Sequence, residues 1–179
     1  MANILITGGA GFLGSHLSEQ LLSQGHTVSV IDMNDGSKIE HLRNYEKFRF
    51  TRDSILNEDV IQKEIHSNID IVFHLAAIAD PKKYVMDPLS TLDIDLKGTL
   101  NVLNIASQHK IKVLFASTSE IYGKNPKVPW TEDSDRVLGS SHINRWCYST
   151  AKAAGEHYCM AYFQQKKMPF VIFRLFNVY

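Results

Sequence analysis

The sequence predicts an α/β fold in which helices cover both faces of a doubly wound parallel sheet. Six short apolar segments alternate with longer segments of helical periodicity along all 179 residues. The apolar segments are rich in Ile, Val, Leu and Phe and mostly lack polar alternation, which is typical of strands buried on both faces. Strands that alternate with helices favour right-handed crossovers, and six of them suggest the strand order 3-2-1-4-5-6.

Each element is predicted from its own pattern. The first helix carries Leu13, Leu17 and Leu21 at intervals of four residues, and Gly25 follows, where a helix end favours a residue that tolerates left-handed dihedrals. The further helices are predicted at residues 58–66, 89–109 and 147–166. The strands are predicted at residues 3–7, 27–32, 47–51, 69–75, 111–117 and 169–175.

Residues 124–146 are predicted to form a long loop. They show no periodicity and carry two prolines, one glycine and three serines. Structureless loops longer than roughly 12–15 residues are uncommon in compact domains and are usually functional or disordered. Because this segment directly precedes candidate catalytic residues, we favour a functional loop.

Composition and charge exclude several classes of protein. Nineteen Lys and Arg balance nineteen Asp and Glu, so the formal net charge is zero, which argues against a nucleic-acid-binding protein. The two cysteines, Cys147 and Cys159, are twelve residues apart, and the histidines match no metal-ligand spacing. The N-terminus lacks the regions of a signal peptide, and no apolar run approaches the ~20 residues of a membrane span. We therefore expect one cytoplasmic domain, residues 1–179, with no metal, no nucleic-acid partner and no membrane attachment.

A glycine-rich turn joins the first predicted strand to the first predicted helix. It contains two overlapping patterns, Gly9-x-Gly11-x-x-Gly14 and Gly8-x-x-Gly11-x-x-Gly14. A pyrophosphate must approach main-chain N–H groups closely, and only glycine leaves no Cβ in the way. The helix N-terminus adds unpaired donors and the positive end of a dipole. With a strand before it and a helix after it, the motif indicates a phosphate-binding turn.

An acidic residue stands where a dinucleotide-binding unit needs one. Asp32 ends the second predicted strand, eighteen residues after Gly14 (32 − 14 = 18). A carboxylate here accepts hydrogen bonds from ribose hydroxyls and repels a 2′-phosphate, which favours NAD over NADP. Alone, Asp32 is equally compatible with the start of a turn over residues 32–36. Together with the glycine turn it favours dinucleotide binding, and a flavin or a mononucleotide on a similar fold is the alternative.

A candidate catalytic pair lies near the start of the last predicted helix. Tyr148 and Lys152 are four residues apart, so they share one helix face. A free tyrosine has a pKa near 10, and a nearby ammonium together with a positive nicotinamide ring is expected to lower that pKa. Such pairs are also common on buried helices, and the pair alone is not specific.

Hydroxyl groups at the end of the fifth predicted strand strengthen the catalytic interpretation. Thr118 and Ser119 lie there with the carboxylate of Glu120. Ligands of open α/β sheets sit beyond the carboxyl ends of the strands, where these groups could bind a substrate oxygen beside the phenol. The alternative is a polar turn with a solvated glutamate.

The chain resembles the extended short-chain dehydrogenase/reductase family, the NAD-dependent enzymes that remodel nucleotide-diphosphate sugars. The matching motifs span the chain in order: Thr7-Gly8-x-x-Gly11-x-x-Gly14, Asp32, Asp53, Phe73-His74-Leu75-Ala76-Ala77, residues 117–123, Tyr148-x-x-x-Lys152 and Arg174-Leu175-Phe176-Asn177-Val178-Tyr179. The resemblance implies a Rossmann-type NAD-binding domain. It implies cofactor contacts at Gly8, Gly11, Phe12, Leu13, Gly14, Asp32, Asp53, Ser54, Leu75, Ala76, Ala77, Tyr148 and Lys152, and catalytic roles for Thr118, Ser119, Glu120, Tyr148 and Lys152.

The family mechanism that this resemblance implies starts with oxidation at sugar C4. Tyr148 would remove the hydroxyl proton while hydride passes to NAD⁺, Thr118 would hydrogen-bond the hydroxyl, and Lys152 would hold the nicotinamide ribose. The 4-keto group then permits proton loss or decarboxylation at a neighbouring position, and the hydride returns.

The residues around the tyrosine favour one reaction within the family. Glu120 in Ser-Thr-Ser-Glu-x-Tyr-Gly resembles GDP-mannose-type 4,6-dehydratases and UDP-glucuronate-type decarboxylases, since simple 4-epimerases usually have a small or neutral residue there. Arg145-Trp146-x-Tyr148 resembles the decarboxylases more. We therefore favour a decarboxylase, with the dehydratase and a UDP-sugar 4-epimerase as alternatives, so a lyase or an isomerase. A non-catalytic NAD-sensing module is the alternative of another class, but such relatives typically lose the Tyr/Lys pair.

Two features depart from the family pattern. Asp95 stands where the family usually has an asparagine that supports the active site. The family also continues past the position of Tyr179 with a substrate-binding half, so the C-terminal substrate domain is expected to be missing and residues 1–179 alone to bind NAD with little or no turnover.

The family commonly forms homodimers through two of its helices. The resemblance implies such a homodimer here, through helices 89–109 and 147–166. Small residues of the last helix, Ala151, Ala153, Ala154 and Gly155, would permit close approach, or would simply pack on the sheet.

Overall fold

Six parallel strands form a single sheet in the order β3-β2-β1-β4-β5-β6. The computed structural model describes residues 1–178. The strands are β1 Asn3–Thr7, β2 Thr27–Asp32, β3 Phe48–Arg52, β4 Ile71–His74, β5 Lys112–Thr118 and β6 Phe170–Leu175. The predicted fold class and strand order are confirmed, and the predicted strand ends differ from the observed ones by two residues at most.

Helices connect these strands across both faces of the sheet. They are α1 Phe12–Ser23, α2 Glu58–Glu64, α3 Pro81–Met86, α4 Pro88–Leu92, α5 Thr99–Gln108 and α6 Trp146–Lys166. Helix α3 was not predicted, although Asp80 caps it by accepting from the N–H of Lys82 and Pro81 starts it. A six-residue helix is too short to display a hydrophobic period, so its only sequence signal was this cap.

The single helix predicted over residues 89–109 is wrong in one detail. Between α4 and α5 the chain forms a π-helical segment, Asp93–Gly98, while the backbone stays right-handed on both sides of it. A Cβ at Gly98 would collide with the Ile55 side chain. This segment turns Asp95 into the protein interior, and π-turns inside helices often mark functional sites.

Most of the strands are apolar on both faces because the sheet has a hydrophobic core on each side, whereas the edge strand β3 alternates apolar and polar side chains. Leu5 belongs to the core beneath α5 and α6, whereas its neighbours Ile4 and Ile6 belong to the core beneath α1. Successive side chains of a strand point to opposite faces. Both cores therefore draw on the same strands, which explains the missing polar alternation.

The segment predicted as a loop over residues 124–146 is irregular up to Arg145, and Trp146 begins α6. The N–H of Lys124 donates to Val137 O at 2.7 Å. The Trp130 ring stacks on Tyr122 at 4.9 Å between centroids, and its Nε1 donates to Asn125 O. The predicted loop is thus present, and these contacts hold it against the end of β5.

No helix within residues 1–178 combines the length and the apolar character that crossing a membrane requires.

Candidate functional site

The glycine turn between β1 and α1 leaves no room for side chains. Gly8 has φ +76°, and a Cβ there would lie 2.7 Å from the backbone N of Ala76. A Cβ at Gly14 would overlap Gly8 O. Helix α1 then begins at Phe12 without a side-chain cap, so its first N–H groups lack intrahelical partners. The turn therefore presents bare main-chain donors at a positive helix end, which suits a phosphate anion.

The Asp32 carboxylate accepts hydrogen bonds both from the glycine turn and from the turn that follows β2. Its Oδ2 accepts from the N–H of Ala10 at 2.9 Å, and its Oδ1 accepts from the backbone and side-chain amides of Asn34, each at 2.9 Å. A carboxylate offers about four acceptor positions, so lone pairs remain for a further donor. Both interpretations of Asp32, turn residue and ligand residue, are compatible with this geometry.

A cleft of about 810 Å³ opens at the carboxyl ends of the strands. Its lining includes many of the residues predicted to contact a cofactor: Gly8, Gly11, Phe12, Asp32, Asp53, Ser54, Leu75, Ala76 and Ala77. Leu13, Gly14, Tyr148 and Lys152 were predicted as well but do not line it. Its size lies within the usual range for ligand sites, and the glycine cradle at one end fits the pyrophosphate of a dinucleotide.

The cleft also has lining residues that the sequence analysis missed. They include Met33 and Asn34 after β2, Lys38 in a short 3₁₀ segment, and Lys83 on α3. All of them follow strand ends, which is the signal that could have identified them.

Tyr148 and Lys152 meet the end of β5 from helix α6. Lys152 is 1 % exposed, and its Nζ donates to Ala116 O at 2.9 Å. Thr118 ends β5 and its Oγ1 accepts from the N–H of Glu120 at 3.1 Å. Ser119 opens the 3₁₀ turn that follows and is partly buried. The phenol, ammonium, hydroxyls and carboxylate expected from the sequence are thus collected at one edge of the sheet.

Burial dominates the electrostatics of this group. It raises the pKa of the Tyr148 phenol, and the carboxylates of Asp95 and Glu120 raise that pKa further, while Thr118 opposes the shift. Burial also lowers the pKa of Lys152, and Asp95 opposes that change. The expected lowering of the tyrosine pKa is therefore not found in the protein by itself, because desolvation of the phenolate and the nearby carboxylates outweigh the Thr118 hydrogen bond.

Glu120 connects to Tyr148 through a second tyrosine. Its Oε1 accepts from the Tyr84 hydroxyl at 3.0 Å and from Arg145 Nη2 at 3.2 Å. The Tyr84 ring stacks on the Tyr148 ring, with 5.1 Å between centroids and 2° between planes. Burial, followed by Glu120, raises the pKa of Tyr84 to about 12. The sequence analysis did not select Tyr84, which lies on the short helix α3.

Within residues 1–178 no three His, Cys, Asp or Glu side chains converge as metal ligands.

Comparisons with known proteins agree with this architecture. Residues 4–179 match the model of the family described as NAD dependent epimerase/dehydratase. The UDP-N-acetyl-alpha-D-glucosaminuronate decarboxylase of Bacillus cytotoxicus is 39% identical over 98% of this chain and 54% of its own length. The UDP-glucuronic acid decarboxylase 1 of Danio rerio is 38% identical over 98% of this chain and 41% of its own length.

A solved structure adds a match with bound ligands. The UDP-glucuronic acid 4-epimerase from Bacillus cereus, in complex with UDP-glucuronic acid and NAD, is 32% identical with a TM-score of 0.87. The match covers 99% of this chain and 57% of that one. The chain therefore spans about half the length of the relatives it matches.

Proposed function

The chain belongs to the NAD-dependent epimerase/dehydratase family, and on that premise we propose that the full protein modifies a nucleotide-diphosphate sugar through a 4-keto intermediate. We further propose that it is a decarboxylase of the UDP-glucuronate type. The observation that carries this proposal is the convergence of Thr118, Glu120, Tyr148 and Lys152 at the carboxyl end of β5.

The cleft residues would hold NAD along the carboxyl edge of the sheet. The first-turn N–H groups of α1 would bind the pyrophosphate, Asp32 the adenosine ribose, and Asp53 the adenine. Bound NAD supplies a hydride acceptor for oxidation at sugar C4 and a hydride donor for its reversal. The closeness of Gly8 to Ala76 supports this assignment, because a side chain at Gly8 would disturb the cradle.

Tyr148 would act as the general base. Its phenol takes the proton of the sugar hydroxyl, Thr118 orients that hydroxyl, and the Lys152 ammonium favours the phenolate by its charge. The raised pKa of Tyr148 in the protein alone implies that positive charge brought by the ligands is needed to form the base at neutral pH.

Arg145 and Glu120 support the decarboxylase assignment. The Arg145 guanidinium is about half exposed at the same edge of the sheet, where it can bind an anionic sugar. In the reaction, the bond to the sugar carboxylate breaks, its electron pair moves toward the 4-keto oxygen, carbon dioxide leaves, and a proton adds at the same carbon. Two relatives with 38–39% identity carry decarboxylase names.

A 4-epimerase is the second candidate. It is supported by the 32% identity to the Bacillus cereus 4-epimerase over nearly the whole of this chain. The tyrosine, lysine and threonine would serve both reactions equally, so the difference must lie in how the keto sugar is held.

The products of the full-length protein test these assignments. It should be incubated with NAD and a panel of nucleotide sugars, uronates included, and the products measured by mass spectrometry. We expect a uronate to lose carbon dioxide. Loss of water would indicate a dehydratase, an unchanged mass with altered sugar stereochemistry a 4-epimerase, and no conversion of any sugar would contradict an enzymatic role.

We also propose a homodimer through α4, α5 and α6. Met160 and Phe163 of α6 are about half exposed and form an apolar surface. Of the small residues considered for this interface, Ala151 and Ala153 are buried and a Cβ at Gly155 would meet the Phe115 ring, whereas Ala154 is partly exposed. Light scattering of the full-length protein should give twice the monomer mass, and Met160→Glu with Phe163→Glu should reduce it to the monomer.

A further inference from the structure

Asp95 is a buried carboxyl for which the proposed reaction has no role. The residue is 0 % exposed and lies on the π-helical segment between α4 and α5. Its Oδ1 accepts from the N–H of Ile78 at 3.2 Å. Its Oδ2 is buried and has no hydrogen-bond partner in the part of the chain that the structure describes. An acid in this position carries a large desolvation cost unless something nearby is positive.

Lys152 is a buried cation that lacks an adjacent negative charge within residues 1–178. Its ammonium is equally buried, with one hydrogen bond to Ala116 O and the Phe115 ring 4.9 Å from Nζ. A carbonyl and a ring face stabilise a cation only partly, and a buried ammonium without a counter-charge tends to lose its proton.

The other ionisable groups near Lys152 cannot supply that counter-charge. The Cys159 thiol is uncharged because burial raises its pKa to about 12. Glu156 is held by Arg174, with Nη2 at 2.8 Å and Nε at 3.0 Å from its two oxygens. His74 lies between the hydroxyls of Thr7 and Thr99, at 2.7 and 3.0 Å, and is uncharged because burial lowers its pKa to about 3.

Asp95 in turn faces few charges. Helices α4 and α5, which flank its segment, contain no titratable side chain. On the segment itself, Asp93 is paired with Lys97 at 2.8 Å on the surface. From α6, Cys147, Tyr148 and Lys152 feel its charge, and of these Lys152 alone is a cation. The π-helical segment that carries Asp95 packs against α6, which carries Lys152. No salt bridge joins the two side chains in the described residues, so any effect of the Asp95 charge on Lys152 acts across a longer distance.

We propose that Asp95 is a positioning residue whose buried carboxylate keeps the Lys152 ammonium protonated. Asp95 therefore acts on Tyr148 in two ways, directly through its own charge and indirectly through Lys152. The role of the Tyr148–Lys152 pair rests on the proposed function, but the charge coupling between Asp95 and Lys152 does not. Burial raises the pKa of Asp95 to about 6. When the pH falls below about 6, Asp95 becomes protonated and loses its negative charge. The Lys152 ammonium is then less strongly stabilised.

The test is the titration of Lys152 in the full-length protein without NAD or sugar. Lysine labelled with ¹³C at Cε reports the ammonium by NMR, and Lys152→Arg assigns the signal. In Asp95→Asn we expect Lys152 to deprotonate at least about one pH unit lower than in the wild type. Asp93→Asn, two residues away, partly exposed and paired with Lys97, is the matched control and should leave the titration unchanged. Identical Lys152 titrations in the wild type and in Asp95→Asn would overturn the proposal.

A reciprocal measurement guards against a variant that does not fold. Coupling between two sites is mutual, so Lys152→Met should raise the pKa of the Asp95 carboxyl, followed by its ¹³Cγ signal. An unchanged Asp95 titration in Lys152→Met would also overturn the proposal. Both readouts are independent of turnover, so a failure to convert sugars would count against the proposed function and leave this coupling testable.

Discussion

The Tyr148 phenol shows how one residue depends on its surroundings. Its ring is covered by Tyr84, and its helix carries Lys152 one turn away. The same burial that positions the phenol also raises its pKa. The phenol can therefore act as a base at neutral pH only when a bound ligand brings positive charge close to it.

Replacing this phenol should abolish catalysis with little effect on folding. Tyr148→Phe in the full-length protein keeps the stacking on Tyr84 but removes the proton acceptor, and we expect kcat to fall by about 10²–10⁴-fold. NAD binding, measured by calorimetry, should change little. Tyr158→Phe on the same helix is the control, and full turnover in Tyr148→Phe would contradict the assigned role.

The raised pKa of Asp95 has a consequence for stability. Its folded pKa of about 6 exceeds the ordinary aspartate value of 3.8, so the folded state binds the proton more tightly than the unfolded state. The contribution of this group to stability is therefore complete below about pH 4 and is lost as the pH rises through about 6. The loss is of the order of 3 kcal/mol at 1.36 kcal/mol per pKa unit.

Asp95→Asn removes this pH dependence. We expect the stability of the variant relative to the wild type to increase by that order between about pH 4 and pH 7, measured by urea unfolding of the full-length protein. Asp93→Asn should show no such trend. A constant difference between Asp95→Asn and the wild type across this range would show that the carboxyl is not destabilised by burial.

At the scale of elements, the site depends on close approaches between backbones. The β1–α1 turn contacts the chain just after β4 because Gly8 has no side chain. A second set of contacts holds the 124–146 segment. There, Arg174 of β6 donates to Tyr122 Oη at 2.8 Å and to Glu132 O at 2.7 Å while it pairs with Glu156 of α6.

Gly8→Ala should damage both folding and cofactor binding. The new Cβ would be 2.7 Å from the backbone N of Ala76 at a positive φ, so the turn must move, and we expect at least a tenfold loss of NAD affinity. Gly25→Ala is the control, since φ is +85° there but the nearest atom to its Cβ is the Met1 side chain at 4.0 Å. That variant should cost only about 1–2 kcal/mol of strain. If Gly8→Ala and Gly25→Ala lowered the NAD affinity in calorimetry and the stability in denaturation by equal amounts, the close approach of Gly8 to Ala76 would not be the cause.

Arg174→Lys should loosen the 124–146 segment. A lysine cannot reproduce the two-pronged pair with Glu156 together with the bonds to Tyr122 and Glu132, and we expect a loss of about 2–4 kcal/mol. Proteolytic cleavage within residues 124–146 should also become faster. Arg43→Lys, in the exposed pair with Glu40, should cost at most about 1 kcal/mol. Unchanged cleavage in Arg174→Lys would show that the segment is held by other contacts.

At the scale of the molecule, the cleft is built from the ends of four strands that lie side by side in the sheet. These strand ends supply the glycine turn, Asp32 and the rest of the lining. A ligand that binds all of them stabilises the folded state in proportion to its affinity.

NAD should therefore raise the melting temperature more than NADP does. At 100 times its Kd, NAD adds about 2.7 kcal/mol, whereas the 2′-phosphate of NADP is repelled by the Asp32 carboxylate. Differential scanning calorimetry of the full-length protein with equal concentrations of each nucleotide measures the difference. A larger rise in melting temperature with NADP than with NAD would contradict the role of Asp32. In Asp32→Asn, the difference between the shifts caused by NAD and NADP should become smaller.

The sequence alone determined the strand order, the glycine turn, the acid at the end of β2 and the spacing of Tyr148 and Lys152, because these features depend on periodicity and on neighbours along the chain. The tertiary structure decided what depends on distant contacts: the π-turn that buries Asp95, the stacking of Tyr84 on Tyr148, and the link from Glu120 to Arg145. The direction of the Tyr148 pKa belongs to the same group. Local sequence cannot encode it, since desolvation depends on every group that packs around the phenol once the chain has folded.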